Sequence, residues 1–442
     1  MTRRVTFGLT TGMLLLQPGI HAQTAVPDRQ AASGSTYIDR AAGLTLSAAV
    51  AQALEQEPSL RATRSRIEVA SGMKQQAGLR PNPTLLFSRQ EEPAGGDNQT
   101  RVEFQWPLDL FRKPGRVAVA EREVDVARHA TADHARILAA EVRIAYGEAA
   151  VAIRALSVTE EMLSATDRQR ALVTGRVDQG AAPPLERDML RVELLRLGSE
   201  RVLQTGQVEQ RLFELKRLLG LGPEAPLKLA DSIEQLDAAG GLDAPADAGA
   251  AVTVRPDILE AEARVAVAAA QIDRARREGR ADVSLFGMYM RMDAGFPQRG
   301  FTDTGELAPV RGVFHYLAGG AMGTLPLRNR NQGAVAAAEA ERAATASSRD
   351  ATRLRAEAEV ASARTRDTHA RQALAAFGAD AIPLAARNLE TVRQTYELGR
   401  ATLLDVLAEQ RRYLDLQRGY TEVLREAYQA RQVLKQARGE TR

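Results

Sequence analysis

The stretch Arg101-Val-Glu-Phe-Gln-Trp106 alternates strictly between polar and apolar residues. A period of two is typical of a β-strand, and it puts Val102, Phe104 and Trp106 on one face of that strand. Three other segments show weaker forms of the pattern, so the sequence predicts four strands, at about 83–91, 100–110, 282–293 and 312–325. Each is about ten residues long, the length that a tilted membrane strand requires, although a small soluble sheet would alternate in the same way.

Four strands are too few to close a barrel in a membrane. An open sheet in lipid would leave backbone N–H and C=O groups unpaired at several kcal/mol each, and the smallest closed barrels have about eight strands. If these segments span a membrane, the chain must therefore oligomerise to complete its barrel. The sequence contains no run of 18 apolar residues, so no membrane-spanning helix is predicted.

The N-terminus resembles a secretory signal peptide. Arg3 and Arg4 precede a short apolar run over 5–19, and Ala22 offers a small residue for cleavage, which predicts a signal peptide over 1–22. The 442 residues include no cysteine, so the exported protein needs no disulfide to fold. The net charge is only +3, with both signs interspersed, which indicates a solvated helix surface and no nucleic-acid partner.

The chain contains an internal duplication. The stretch from Leu54 to Gly78 resembles that from Val252 to Arg276, and within it Pro58 matches Pro256. Further matches follow in the same order: Trp106-Pro107-Leu108 with Leu325-Pro326-Leu327, Gly180 with Gly399, and Leu185-Glu186 with Leu404-Asp405. A repeat of about 200 residues is far longer than the unit of a solenoid, so the chain is interpreted as two copies of one half-protein.

Both repeats predict the same series: a helix, two strands, a very long helix and a return helix. The first repeat covers 23–250, with a connector over 220–250, and the second covers 251–442. The predicted helices lie at about 47–78, 115–177, 184–219, 256–279, 333–398 and 402–437. Each very long helix would reach about 95 Å. Pro383 is expected to kink the second one.

The order of these segments resembles the TolC family of outer-membrane efflux factors over nearly all of the mature chain. The most specific stretch is Tyr396-Glu-Leu-Gly399-Arg-Ala-Thr-Leu-Leu-Asp405-Val-Leu407, which is similar to the periplasmic tip of the family. Asn82-Pro83-Thr84-Leu85 and Phe104-Gln-Trp-Pro-Leu108, which leads into Gly115-Arg116, are similar to the family's first half. General similarity is greatest to the branches that serve heavy-metal pumps.

The resemblance implies an α+β, mostly α fold and a homotrimer. Four strands from each chain would complete a 12-stranded barrel in the outer membrane, and the helices would form an α-helical barrel across the periplasm. The implied function is the outer-membrane channel of a tripartite efflux system. Its implied partners are a periplasmic adaptor protein, an inner-membrane pump and outer-membrane lipid.

The resemblance also assigns roles to particular residues. Asp405 falls where the family places a ring of aspartates that narrows the channel, and three like charges near one axis would raise each other's pKa. Ala408 occupies the place of a second aspartate, with Glu409 beside it. The tip that docks on the adaptor would include Gly180, Glu186, Tyr396, Gly399 and Arg400. On residue type alone, an acid at the position of Asp405 is more often a helix cap or dipole partner than a gate, and the two glycines are helix C-caps.

No catalytic or cofactor motif accompanies these segments. HExxH, GxxxxGK[ST], GxGxxG and GxSxG are absent from the sequence, which predicts a protein that is not an enzyme and needs neither cofactor nor metal. Met288, Met290 and Met292 are interpreted as strand packing rather than metal ligands. Two other classes stay open: a soluble periplasmic coiled-coil scaffold or adaptor, and an enzyme with an unfamiliar site.

Overall fold

The computed structural model describes residues 36–93, 95–239, 254–378 and 380–441, so the predicted signal peptide lies outside the described residues. The helices found there are α1 Leu46–Gln56, α2 Pro58–Ala77, α3 Lys113–Asp178, α4 Pro184–Leu218, α5 Ile233–Ala239, α6 Pro256–Glu278, α7 Gln332–Phe377, α8 Ala381–Glu397 and α9 Leu403–Ala437. The strands are β1 Thr84–Glu91, β2 Asn98–Pro107, β3 Asp282–Phe301 and β4 Leu307–Thr324. Within those ranges, no helix combines the length and the apolar character needed to cross a membrane.

The prediction of a mostly helical protein with four strands is confirmed. The return helices α4 and α9 are both 35 residues long. The largest buried cluster lies where α3 meets α1, α4, α5 and α9. At its centre are Tyr146, which is 0% exposed, and Tyr428, which is 1% exposed.

Two predicted helices are broken in the structure. The helix expected over 47–78 is interrupted at Glu57, whose ψ of 127° is extended because a residue before proline is driven out of the helical region. The helix expected over 333–398 is interrupted after Phe377, at Gly378 with φ of 64°. The interruption lies upstream of Pro383 because a prolyl ring removes a backbone hydrogen bond to the preceding turn.

The strands form one antiparallel sheet in the order β1-β2-β3-β4. The second strand ends at Pro107 rather than near residue 110. The third and fourth strands are longer than the predicted 282–293 and 312–325, because beyond Asp293 they continue as a hairpin in which β3 pairs only with β4. This extension carries no long apolar alternation, which is why the periodicity did not reveal it.

One face of the sheet is apolar and exposed. Val102, Phe104 and Trp106 of β2 share this face with the residues that pair with them: Leu85, Phe87, Leu285 and Tyr289. Leu317 of β4, which pairs with Tyr289, lies on the same face. The exposed fractions reach 71% at Leu85 and 86% at Leu317, and Phe104 and Trp106 are 42% and 40% exposed. Buried surfaces are the normal place for such residues, so this face requires an apolar surrounding. On the opposite face, Glu103 and Arg101 of β2 pair with methionines of β3.

Candidate functional site at the helix turns

The turn between α3 and α4 and the turn between α8 and α9 have the same backbone geometry. Gly180 and Gly399 both adopt a φ of 72°, a conformation that disfavours any side chain. Matching hydrogen bonds close the two turns: Gly180 N to Val177 O at 2.9 Å, Ala181 N to Arg176 O at 2.8 Å, Gly399 N to Tyr396 O at 2.9 Å, and Arg400 N to Thr395 O at 3.0 Å. This is the Schellman pattern, which satisfies the last carbonyls of a helix.

A small apolar cluster holds the two turns against each other. Its buried members come from α3, α4, α8 and α9: Val173, Leu190, Tyr396, Leu403, Val406 and Leu407. The turns of the two repeats therefore form one body, which we call the turn site. It comprises the residues that the sequence analysis selected, namely Gly180, Glu186, Tyr396, Gly399, Arg400, Asp405 and Glu409.

The structure brings Glu186 and Tyr396 into direct contact across the turn site. The Tyr396 hydroxyl donates to Glu186 Oε2 at 2.5 Å. Burial of the phenol, and then the adjacent carboxylate, raise the pKa of Tyr396 to about 12, so the hydroxyl stays protonated and remains a donor. The Arg176 guanidinium lies 5.6 Å from the centre of the same ring. The first repeat thus holds the second by one charge-assisted hydrogen bond and one cation–π contact.

Asp405 lies at the start of α9 in a capping box. Its Oδ2 accepts from Thr402 N at 2.9 Å and from Thr402 Oγ1 at 2.7 Å, while Thr402 Oγ1 accepts from Asp405 N at 3.3 Å. These hydrogen bonds hold the pKa of the Asp405 carboxyl below its ordinary value. The side chain is exposed and has no ion-pair partner among the described residues. Within one chain, the helix-cap role is therefore present, and the carboxylate remains free to act outward.

Glu409 and Arg400 have different surroundings from Asp405. Glu409 accepts from Arg412 at 3.1 Å, and its side chain is only 16% exposed. Arg400 is exposed, and no ion pair involving it is found in the part of the chain that the structure describes. Of the two acidic residues predicted to constrict the channel, Asp405 is therefore unpaired, whereas Glu409 is paired with Arg412.

Sequence reasoning missed a basic cavity beside the turn site. A cavity of about 660 Å³ between α3 and α8 is bordered by Tyr396, by the arginines Arg168, Arg176 and Arg393, and by the glutamates Glu390 and Glu397, so that arginines exceed glutamates by one. Burial lowers the pKa of the Arg393 guanidinium. The spacing of eight between Arg168 and Arg176, about two helical turns, is a signal that would have put both on one face of α3. No cluster of three or more metal-ligating side chains is found across the described ranges.

Parts of the sequence are similar to outer membrane efflux proteins. Residues 49–221 match the outer membrane efflux protein family. Outer membrane protein OprJ of Pseudomonas aeruginosa is 30% identical over 264 residues, which are 54% of this chain. The match spans 53% of OprJ, so the chain aligns with about half the length of this curated relative.

Solved structures share the fold over a much larger part of the chain. CusC, whose crystal structures concern folding and transmembrane channel formation, superposes with a TM-score of 0.71 and 19% identity, covering 92% of this chain and 94% of CusC. The outer membrane protein VceC of Vibrio cholerae superposes with a TM-score of 0.66 and 21% identity, covering 89% of this chain and 96% of VceC. At these identities the likeness establishes the fold.

The family match and the fold agree on location and architecture. Both correspond to proteins of the outer membrane. The expected resemblance is confirmed: residues 49–221 match the outer membrane efflux protein family, and the chain has the same fold as CusC and VceC.

Proposed function

We propose that the protein is the outer-membrane channel of a tripartite efflux system, that it works as a homotrimer, and that it provides a duct rather than a catalytic site. A periplasmic adaptor and an inner-membrane pump would dock at the turn site. The observation that carries this proposal is the sheet. The outer edges of its edge strands β1 and β4 pair with no other strand in the described chain, and one of its faces is apolar and exposed.

The geometry of the sheet and helices supports a duct made by several copies. In lipid, an unpaired strand edge is unstable, so β1 of one copy must pair with β4 of the next. The helix α3 has 66 residues and is therefore about 100 Å long. Such a helix carries the turn site far from the membrane, to where an adaptor can meet it.

Cysteine cross-linking tests the proposed trimer directly, since the chain has no native cysteine. Leu86→Cys on β1 should be combined with Gly320→Cys, Ala318→Cys or Tyr316→Cys on β4, because the register between copies is not fixed by one chain. We expect oxidation of at least one pair in outer-membrane fractions to give dimer and trimer bands. Leu86→Cys alone is the control. Recovery in the soluble periplasm, with monomer only, would contradict the proposal.

Gly399→Leu should reduce export while leaving the trimer in place. A Cβ at Gly399 would contact nothing within 4 Å, so the variant carries backbone strain of about 1 kcal/mol without a core clash. Its side chain would project from the proposed docking surface. Export is measured as resistance to a transported compound, beside trimer abundance on native gels.

Gly305→Leu is the matched control for that experiment. Gly305 also has a positive φ, of 82°, and open space around its Cβ, but it lies in the turn between β3 and β4. Export should stay normal in Gly305→Leu. Equal loss of trimer and export in Gly399→Leu would make this glycine a helix cap only.

Asp405→Asn should weaken the cation selectivity of the reconstituted channel. Three copies of an open carboxylate around one axis would attract cations, and their field is strengthened in a narrow opening. Glu409→Gln should change selectivity less, because Glu409 is paired with Arg412. Single-channel conductance in planar bilayers with a salt gradient measures both effects.

Thr402→Ala separates the charge of Asp405 from its cap. This variant removes the hydroxyl that lowers the pKa of Asp405, but it keeps the carboxylate. Selectivity should persist at neutral pH and disappear at a higher pH than in the wild type, because a carboxyl with a less depressed pKa takes up its proton earlier as the pH falls. If, in contrast, Asp405→Asn left the selectivity unchanged, Asp405 would act only as the N-terminal cap of α9 and not as a determinant of selectivity.

A further inference from the structure

Basic residues are concentrated where the strands meet the helices. The segments beside the ends of the four strands contain eight of them, which we call the junction cations: Arg80, Arg112, Lys113, Arg116, Arg277, Arg280, Arg328 and Arg330. The same segments contain only three acidic residues, Asp109, Glu278 and Asp282, so the positive charges are in excess by five. The whole chain has a net charge of only +3, and this excess is therefore local.

The three acidic residues are already engaged. Asp109 pairs with Arg116 at 2.6 Å, Asp282 pairs with Arg112 at 3.0 Å, and Glu278 pairs with Arg274 at 2.7 Å. The other six junction cations have no acidic partner in the described ranges: Arg80, Lys113, Arg277, Arg280, Arg328 and Arg330. Their charges are therefore available to anions from outside the chain.

The junction has a concave surface with donors and apolar groups side by side. A cavity of about 610 Å³ there is bordered by the unpaired Arg280 and Arg328, by the ion-paired Arg112 and Arg116, and by Glu278, which pairs with Arg274. Two exposed leucines line it: Leu325 is 70% exposed and Leu327 is 76% exposed. Guanidinium groups bind phosphate through paired N–H donors, and leucines suit acyl chains. A free anion would make no use of the leucines.

The position of Trp106 relates the junction to the apolar face of the sheet. Trp106 pairs with Leu285 close to the ends of β2 and β3 that adjoin the helices, and it is 40% exposed. Tryptophan favours the boundary between the acyl chains and the headgroups of a membrane. The junction cations follow immediately on the helical side, which is the level of lipid phosphates in the periplasmic leaflet.

We propose that the junction cations bind the phosphates of anionic phospholipids in the periplasmic leaflet of the outer membrane. This inference rests on the proposed function, because it needs the sheet to span that membrane. Apolar contact would hold the sheet in the acyl layer, while the ring of cations would fix its depth, since charges near an anionic surface gain free energy only within about 10 Å. Three copies would encircle the duct with eighteen unpaired cations.

The test compares the purified trimer in mixed micelles with phosphatidylglycerol or with phosphatidylcholine. One variant combines Arg280→Gln, Arg328→Gln and Arg330→Gln. The control variant combines Arg66→Gln, Arg355→Gln and Arg364→Gln, which removes the same charge from exposed positions on helices. The thermal unfolding midpoint and the number of lipids retained in native mass spectrometry are the readouts.

We expect phosphatidylglycerol, and not phosphatidylcholine, to raise the unfolding midpoint of the wild type and of the control. In the junction variant, the apparent affinity should fall roughly tenfold or more. High salt should abolish the preference in the wild type, which tests the site even if the junction variant does not assemble. Equal retention of phosphatidylglycerol by the junction variant would overturn the proposal, as would an equal shift with glycerol 3-phosphate alone.

Failure of this inference and failure of the proposed function are distinguishable. A wild-type protein that is trimeric in the outer membrane but shows no preference for phosphatidylglycerol refutes the lipid site only. A protein that is not trimeric in that membrane refutes the proposed function itself.

Discussion

Phe104→Arg should prevent assembly in the outer membrane. Phe104 lies on the exposed apolar face between Leu85 of β1 and Gly287 of β3. An arginine at the midplane of a membrane barrel costs about 2–4 kcal/mol, and a trimer would bear that cost three times. We expect the mature protein to be degraded or to stay in the periplasm. Heat-modifiable trimer bands in outer-membrane fractions measure the effect.

Gln105→Arg is the matched control for the lipid-facing variant. It introduces the same charge at the adjacent residue, which points to the opposite face beside Phe286. Because that face already carries Glu103 and Arg101, assembly should be close to normal. Normal assembly of Phe104→Arg together with loss of Gln105→Arg would mean that the two faces of the sheet are assigned the wrong way round.

Gly147→Ala should strongly destabilise the helical part of the protein. A Cβ at Gly147 of α3 would lie 2.2 Å from the Cε1 atom of Tyr428 in α9. Tyr428 is 1% exposed, and its hydroxyl donates to Arg143 O at 3.0 Å, so the ring has no room to withdraw. Overpacking of this kind costs about 3 kcal/mol. Thermal unfolding of the purified protein measures the change.

Gly175→Ala, on the same helix, should stabilise the protein instead of destabilising it. Gly175 is also in the interior of α3, but a Cβ there would meet nothing within 4 Å. Alanine is the better helix former, so this variant should be stabilised by about 0.5–1 kcal/mol. If both variants lost the same stability, the loss would come from α3 itself rather than from its contact with α9.

The patterns that predicted the fold were those that repeat within a few residues or between the two halves. The alternation around Phe104 predicted the apolar face of the sheet, because every second side chain of a strand points to the same face. The match of Gly180 with Gly399 gave the equivalent turns, which close with the same hydrogen bonds. Both features depend on interactions between residues that are close in sequence, so a short stretch is enough to predict them.

The features that the sequence did not reveal depend on distant partners. The contact of Arg176 with Tyr396 joins residues 220 positions apart, and no sequence pattern near either residue predicts it. The interruption at Gly378 needed a choice between this glycine and Pro383, two helix breakers five residues apart. The length of β3 was underestimated because its outer part is matched to β4 alone. The roles assigned to Asp405 and to the other residues of the turn site stay predictions.

The uninterrupted helix α3 and the extended hairpin of β3 and β4 should differ in how well they tolerate insertions and deletions during evolution. Inserting one residue into α3 would rotate everything beyond it by about 100°, so the contacts of its 66 residues would be lost together. Adding one residue to each strand of the hairpin beyond Asp293 would disturb no other element, since β3 pairs there only with β4. Related proteins should therefore vary in the length of this hairpin beyond Asp293. Insertions and deletions in α3 should be rare, because selection removes them.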